Sequence, residues 1–247
     1  MNHSSAHTIA DQAREALYSL ASPERAAVLT RFFKTGPGQY GAGDVFIGVS
    51  VPDTRSVLRQ MNDYPLSSLL PLVSDPVHEC RLCGYLALVK AYDKARDEAR
   101  RREVFEWFQQ HREGLNNWDL VDLTAPNIAG RYLLHRDRSF LRTLLCSPSL
   151  WEQRTAIVAT LTFIRNGDFE DTLKFSHSLL SHPHDLIHKA SGWMLREVGK
   201  RDPDVLRGFL DRYASVMPRT MLRYALEKFS PGERAQYLNH KRITPLL

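Results

Sequence analysis

Apolar residues recur three and four positions apart along most of this chain, the spacing that gathers them on one side of an α-helix. "DQAREALYSLA" (11–21) and "PERAAVLTRFFK" (23–34) show it first. Pro23 opens the second segment, where a missing N–H costs little because first-turn amides have no intrahelical partner. The pattern stops at "TGPGQYGAGDVFIGVSVP" (35–52), whose glycines and short Val/Phe/Ile patch predict a long ordered loop. Helical spacing resumes at "PDTRSVLRQM" and continues in short segments to the end. No sheet is predicted.

The helical segments recur to a plan. "ECRLCGYLALVKAY" (79–92), "EQRTAIVATLTFIRNG" (152–167) and "IHKASGWMLREVGKRD" (187–202) each set a basic residue before small residues and an apolar run. With Arg81, Trp118, Arg154, Lys189 and Arg223 as markers, the steps are 37, 36, 35 and 34 residues. A period in that range with two helices per unit predicts an all-α, HEAT-like solenoid, one domain over residues 1–247. Its markers fall near the start of each second helix, so they should line a concave, basic wall. A regular all-α bundle would give a similar pattern.

Composition narrows the class only a little. The 247 residues suffice for one large or two small domains, and 43% hydrophobic with 25% charged residues is a folded-protein balance. A net charge of +5 and a pI near 9.2 suit an acidic partner without naming it. Arginine outnumbers lysine 25 to 8, as phosphate recognition favours and as a GC-rich genome would also produce. Cys80, Cys83 and Cys146 do not make a disulfide framework. "MNHSSAHTIADQ" lacks a signal peptide's apolar core, and no run is long enough for a bilayer, so the expected location is cytoplasmic.

Three candidate motifs read as structural. "GPGQYG" (36–41) follows a helix where a dinucleotide site needs a strand. Cys80-x-x-Cys83 has no second ligand pair for zinc, and such thiols in an apolar helix are buried packing. His177, His182, His184 and His188 cluster around Pro183, but "HDLIH" lacks the zincin glutamate and reads as an inter-helix turn.

"NNWDLVD" (116–122) is different. Asn116 or Asn117 can cap a helix, which puts Asp119 in its first turn with a charge–dipole role worth at most about 1 kcal/mol. Asp122 lies a turn further in, on one face with Trp118. It is either a salt-bridge partner of Arg154 or a functional carboxylate. The repeat brings Trp118, Asp122, Arg154 and Trp193 toward one patch of the wall, which favours the second.

From about residue 25 to about residue 230 the chain resembles the AlkD-like DNA alkylation-repair glycosylases, which are HEAT-like solenoids. "NNWDLVD", "WEQRTAIV", "SGWMLREVGKRDP" and "RTMLRYALEKF" carry the resemblance. It implies that Trp118, Asp122 and Trp193 contact the damaged nucleotide, with Asp122 catalytic. Arg154 would contact DNA, and Tyr40 would be a lesion-side aromatic. Lys189, Arg219, Arg223 and Arg81 are expected against phosphates. The implied activity is monofunctional release of positively charged N3- or N7-alkylpurines from double-stranded DNA, without cofactor or metal, by a monomer. A non-catalytic binder of distorted DNA and a HEAT-type protein scaffold are the alternatives.

Overall fold

A computed structural model describes residues 8–239, and they are helical throughout except for loops. The first seven residues of the leader reading, and the last eight of the expected 1–247 domain, lie outside the described residues. The chain divides into two compact units, Met1–Thr124 and Ala125–Leu247. Among the described residues no helix is long and apolar enough to cross a membrane.

The first unit is built around the helix His78–Lys94, buried continuously from His78 to Leu88. It is surrounded by Ile9–Ser19, Val51–Gln60, Leu70–Val73, Glu98–Gln110 and Trp118–Thr124. Burial on every side explains why a helix this central carries polar residues among its apolar ones with little amphipathic pattern. The helix Ile9–Ser19 starts with a reciprocal capping box between Thr8 and Asp11. The helix Pro23–Phe32 is capped by Ser22 and buries none of its own residues.

The glycine-rich segment forms no helix, and the next helix starts at Val51. Backbone bonds hold its second half on two sides: Ser22 N–H donates to the Ile47 carbonyl at 2.9 Å, and His78 N–H to the Val45 carbonyl at 2.8 Å. Val45 and Val77 form an isolated parallel bridge. The buried Glu79 carboxylate accepts from the amides of Ile47, Gly48 and Val49 at 2.8–3.2 Å. Gly48 has φ +83°, and a Cβ there would stand 2.1 Å from the Ser22 carbonyl oxygen. Only glycine fits both constraints.

The second unit centres on Asp185–Arg201, packed by Leu150–Ala159, Leu161–Arg165, Glu170–Ser178, Pro203–Tyr213 and Arg219–Ala225. Gly192 lets the last of these come close, since a Cβ would lie 2.5 Å from the Met221 carbonyl oxygen. The apolar run at 152–167 is two helices because the Thr160 hydroxyl turns back to the Ile157 carbonyl at 2.7 Å. Arg138 is a structural staple: its guanidinium lies 3.7 Å from the Phe163 ring centre and pairs with Asp168 and Asp171 at 2.8 and 2.7 Å.

Candidate functional site

The residues Trp118–Thr124 form a helix of which Asp119, Leu120, Val121 and Thr124 are buried. Trp118, Asp122 and Leu123 are half-buried. The pair singled out in the sequence therefore shares the face turned away from the core, one turn apart. The fully buried Asn117 side chain begins the helix by accepting from Trp118 N–H at 2.9 Å.

Trp118 is held by rings. Its indole stacks on Phe33 at 5.2 Å between centroids and 12° between planes, and Phe32 meets it edge-on at 6.0 Å. Phe33 stacks in turn on Phe46 at 4.9 Å, and Phe46 on the His78 imidazole at 4.5 Å. An aromatic column thus runs from Trp118 through two phenylalanines to a buried histidine. Offset stacks of this kind add about 0.5–1.5 kcal/mol each beyond burial.

That histidine belongs to a charge network. His78 Nε2 lies 2.8 Å from Asp119 Oδ2, and Nδ1 lies 3.2 Å from Asp44 Oδ2. Asp44 also accepts from Arg81 at 2.5 Å, Asn116 at 3.0 Å and Asn117 at 2.9 Å. Burial disfavours the imidazolium, but the hydrogen bonds it donates to Asp119 and Asp44 outweigh that and push the His78 pKa up to about 9. Burial also opposes ionisation of Asp44, and the contacts with His78, Asn117 and Arg81 overcome it, leaving its pKa below the usual carboxylate value. His78 and Arg81 thus face Asp44 and Asp119 inside one buried network.

Two expectations change here. Asp119 does sit in the first helical turn, where its Oδ1 accepts from Leu120 N–H at 2.9 Å. Yet it is 7% exposed and faces His78, so its role is a buried ion pair, well beyond a dipole contact. Arg81, expected on a phosphate-facing wall, is 5% exposed. Its guanidinium is committed to Asp44 and to the Asp75 and Pro76 carbonyls at 2.6 and 3.0 Å. Drawing it out to DNA would take a charged partner from the buried Asp44 carboxylate, so it is a network residue.

The remaining candidates are spread over both units. Tyr40 is half-buried, its hydroxyl 3.4 Å from the Phe32 carbonyl oxygen. Arg154 is buried and donates to the Leu186 carbonyl at 2.6 Å. Trp193 is half-buried, with Nε1–H donating to Glu197 at 3.2 Å. Lys189 pairs with Asp185 at 2.9 Å, and Arg219 donates to the Leu238 carbonyl at 2.8 Å. Arg223 is exposed. Cys80 and Cys83 are buried thiols whose pKa values burial pushes up to about 12. His182 accepts from His184 N–H at 3.0 Å, and His184 caps the next helix through Leu186 N–H at 3.1 Å, a turn-forming use of both rings. Among the described residues no three His, Cys, Asp or Glu side chains group as metal ligands.

Residues 13–229 match the family model for the DNA alkylation repair enzymes. The chain belongs to that family. Comparison with curated proteins finds no match. A solved structure from Enterococcus faecalis, described as a predicted DNA alkylation repair enzyme, is similar at a TM-score of 0.65 and 17% identity. The likeness covers 85% of this chain and 97% of that one, and at this identity it speaks for the fold alone: all-α, of the helical-repeat solenoid class.

For this DNA alkylation repair family member, the supports of Trp118 are what sequence reasoning missed: Phe33, Phe46, His78, Asp44 and the buried role of Asp119. The signal was present as charged residues in "HECR" at the head of an otherwise apolar helix, and in "GD" and "NNWD". Their pairing spans 34 to 73 positions, which no local pattern reports.

Proposed function

We propose that the chain is a monofunctional DNA glycosylase that hydrolyses the N-glycosidic bond of N3- and N7-alkylated purines in double-stranded DNA. The observation that carries this reading is the half-buried Trp118–Asp122 pair on an otherwise buried helix, in a chain of the alkylation repair family. An alkylated purine is cationic and already a good leaving group, so its departure needs little general acid. Ordinary sugar hydrolysis uses two carboxylates. One, Asp122, is enough here to stabilise the oxocarbenium-like sugar and orient water.

Trp118 and Trp193 act through their ring faces, each attracting positive charge by about 0.5–2 kcal/mol. Lys189, Arg219, Arg223 and Tyr40 are the DNA-side contacts. Arg154 joins them by the same resemblance, and its reach to DNA requires its guanidinium to leave the Leu186 carbonyl. The protein works as a monomer in the cytoplasm without a cofactor. No lysine nucleophile is assigned, so the reaction stops at base release.

The test is release of free 7-methylguanine from methylated duplex DNA by the wild type and by Asp122→Asn. Release that the substitution abolishes supports the reading. Salt-dependent DNA binding without any release would make the protein a non-catalytic binder of damaged DNA, and absence of both would leave a protein scaffold.

A further inference from the structure

His78 touches both segments on which Trp118 depends, and the Asn116 and Asn117 amides tie the same loop carboxylate, Asp44, to the start of the Trp118 helix. Asp44 belongs to the glycine-rich loop, whose Phe46 continues the column to Phe33 and Trp118. Asp119 is the neighbour of Trp118 in the chain, on the first turn of its helix. Each ring nitrogen faces a carboxylate oxygen, at 3.2 and 2.8 Å. A neutral imidazole has one N–H, so one nitrogen would turn a lone pair on a carboxylate; only the imidazolium satisfies both.

We propose that His78 is a positioning residue for Trp118: by bridging Asp44 of the loop to Asp119 of the helix, it sets the angle at which the indole is presented. This rests on the reading of Trp118 as the lesion-side aromatic.

The surroundings make the bridge specific. Facing His78 from the loop is Asp44 and from the Trp118 helix is Asp119. On its own helix, Arg81 reaches it through Asp44, while Glu79 is turned onto the loop amides. Arg14, from the helix Ile9–Ser19, is held by Asp75 at 2.7 Å. If the imidazolium loses its proton, Asp44 and Asp119 remain with only Arg81 to balance them. One of the two imidazole contacts then loses its donor, Asp44 is left to Arg81 and the Asn116 and Asn117 amides, and the Phe46 ring stacked on the imidazole shifts with the loop or the helix start. Phe33 and Trp118 follow, because close-packed rings have little slack. With the pKa pushed up to about 9, the bridge is intact at neutral pH.

The test uses full-length protein labelled with 5-fluorotryptophan, which reports Trp107, Trp118, Trp151 and Trp193 separately by fluorine NMR. Trp118→Phe assigns the relevant resonance. Between about pH 7 and about pH 10.5, the Trp118 resonance should shift reversibly with a midpoint near the His78 pKa, and the other three should not follow it. His78→Gln should displace the Trp118 resonance at neutral pH and abolish its titration. A Trp118 resonance that ignores both pH and the substitution overturns the proposal. Should the variant fail to fold, the wild-type titration alone decides.

In single turnover on a 7-methylguanine duplex, His78→Gln should release base roughly ten- to hundredfold more slowly, with DNA affinity nearly unchanged, as a misplaced catalytic side chain does. A displaced resonance with an undiminished rate also overturns the proposal. If the wild type releases no base, the glycosylase reading fails, while the fluorine titration still tests whether His78 orients Trp118.

Discussion

The Trp118 indole lies flat on the Phe33 ring, 5.2 Å away and 12° from parallel, at the head of a column that ends on His78. Its orientation is therefore a property of buried neighbours from the end of the helix Pro23–Phe32, from the loop and from the helix His78–Lys94, which separates residues that hold the site from residues that act in it.

The two aspartates of "WDLVD" should part company on that basis. Asp119→Asn removes one partner of a buried ion pair and should destabilise the first unit by about 3 kcal/mol. Asp122→Asn, at a half-buried position, should cost less stability yet lower base release about a hundredfold or more. Guanidinium unfolding and single-turnover release on both variants check this, and equal activity losses from folded variants would break the assignment.

The His78 network also dictates a pH limb of stability. The folded pKa, about 9, lies above an unfolded value near 6.5. The contribution, about 3 kcal/mol at most, is thus fully present below about pH 6.5 and lost as pH rises through 9. Asp44 works in the opposite direction: its folded pKa is depressed, so its contribution is present above the ordinary carboxylate range and lost on acidification. Unfolding measured on either side of pH 9 should show the alkaline loss in the wild type and a reduced loss in His78→Gln.

Arginines should split into two kinds by salt dependence. Arg223 is exposed, and Arg223→Ala should lower the log–log slope of DNA affinity against salt by about 0.9. Arg81→Met should leave that slope unchanged and instead destabilise the fold by about 3–5 kcal/mol, since it abandons Asp44 in the interior. Affinities at several salt concentrations, with melting curves, distinguish the two. A slope that falls with Arg81→Met would return this residue to the DNA surface.

Substrate charge is the last discriminator. Tryptophan faces that work by cation attraction favour 3-methyladenine and 7-methylguanine and leave uracil and 8-oxoguanine, which are neutral. Trp193→Ala should slow release about two- to thirtyfold, matching about 0.5–2 kcal/mol, with Trp193→Phe between it and the wild type. Efficient uracil excision, or a phenylalanine variant no better than alanine, would mean that the indoles work by shape.

The chain's helical spacing alone determined its all-α class, because amphipathic periodicity is written in neighbouring residues. It also marked Trp118 and Asp122 as sharing a helix face, since a four-residue step fixes that geometry wherever the helix lies. Residue type also sufficed to show that "NNWDLVD" and "SGWMLREVGKRDP" resemble one repair family, to which residues 13–229 belong. What only the tertiary structure decided is which charges face water. Arg81 and Asp119 read locally as a phosphate contact and a helix-dipole residue, yet both are buried against partners tens of residues away. Burial depends on what packs over a side chain, and the cover here comes from the glycine-rich loop folding onto the start of the helix His78–Lys94. The same long-range closure puts Phe33, Phe46 and His78 behind Trp118, an arrangement that no spacing along the chain encodes.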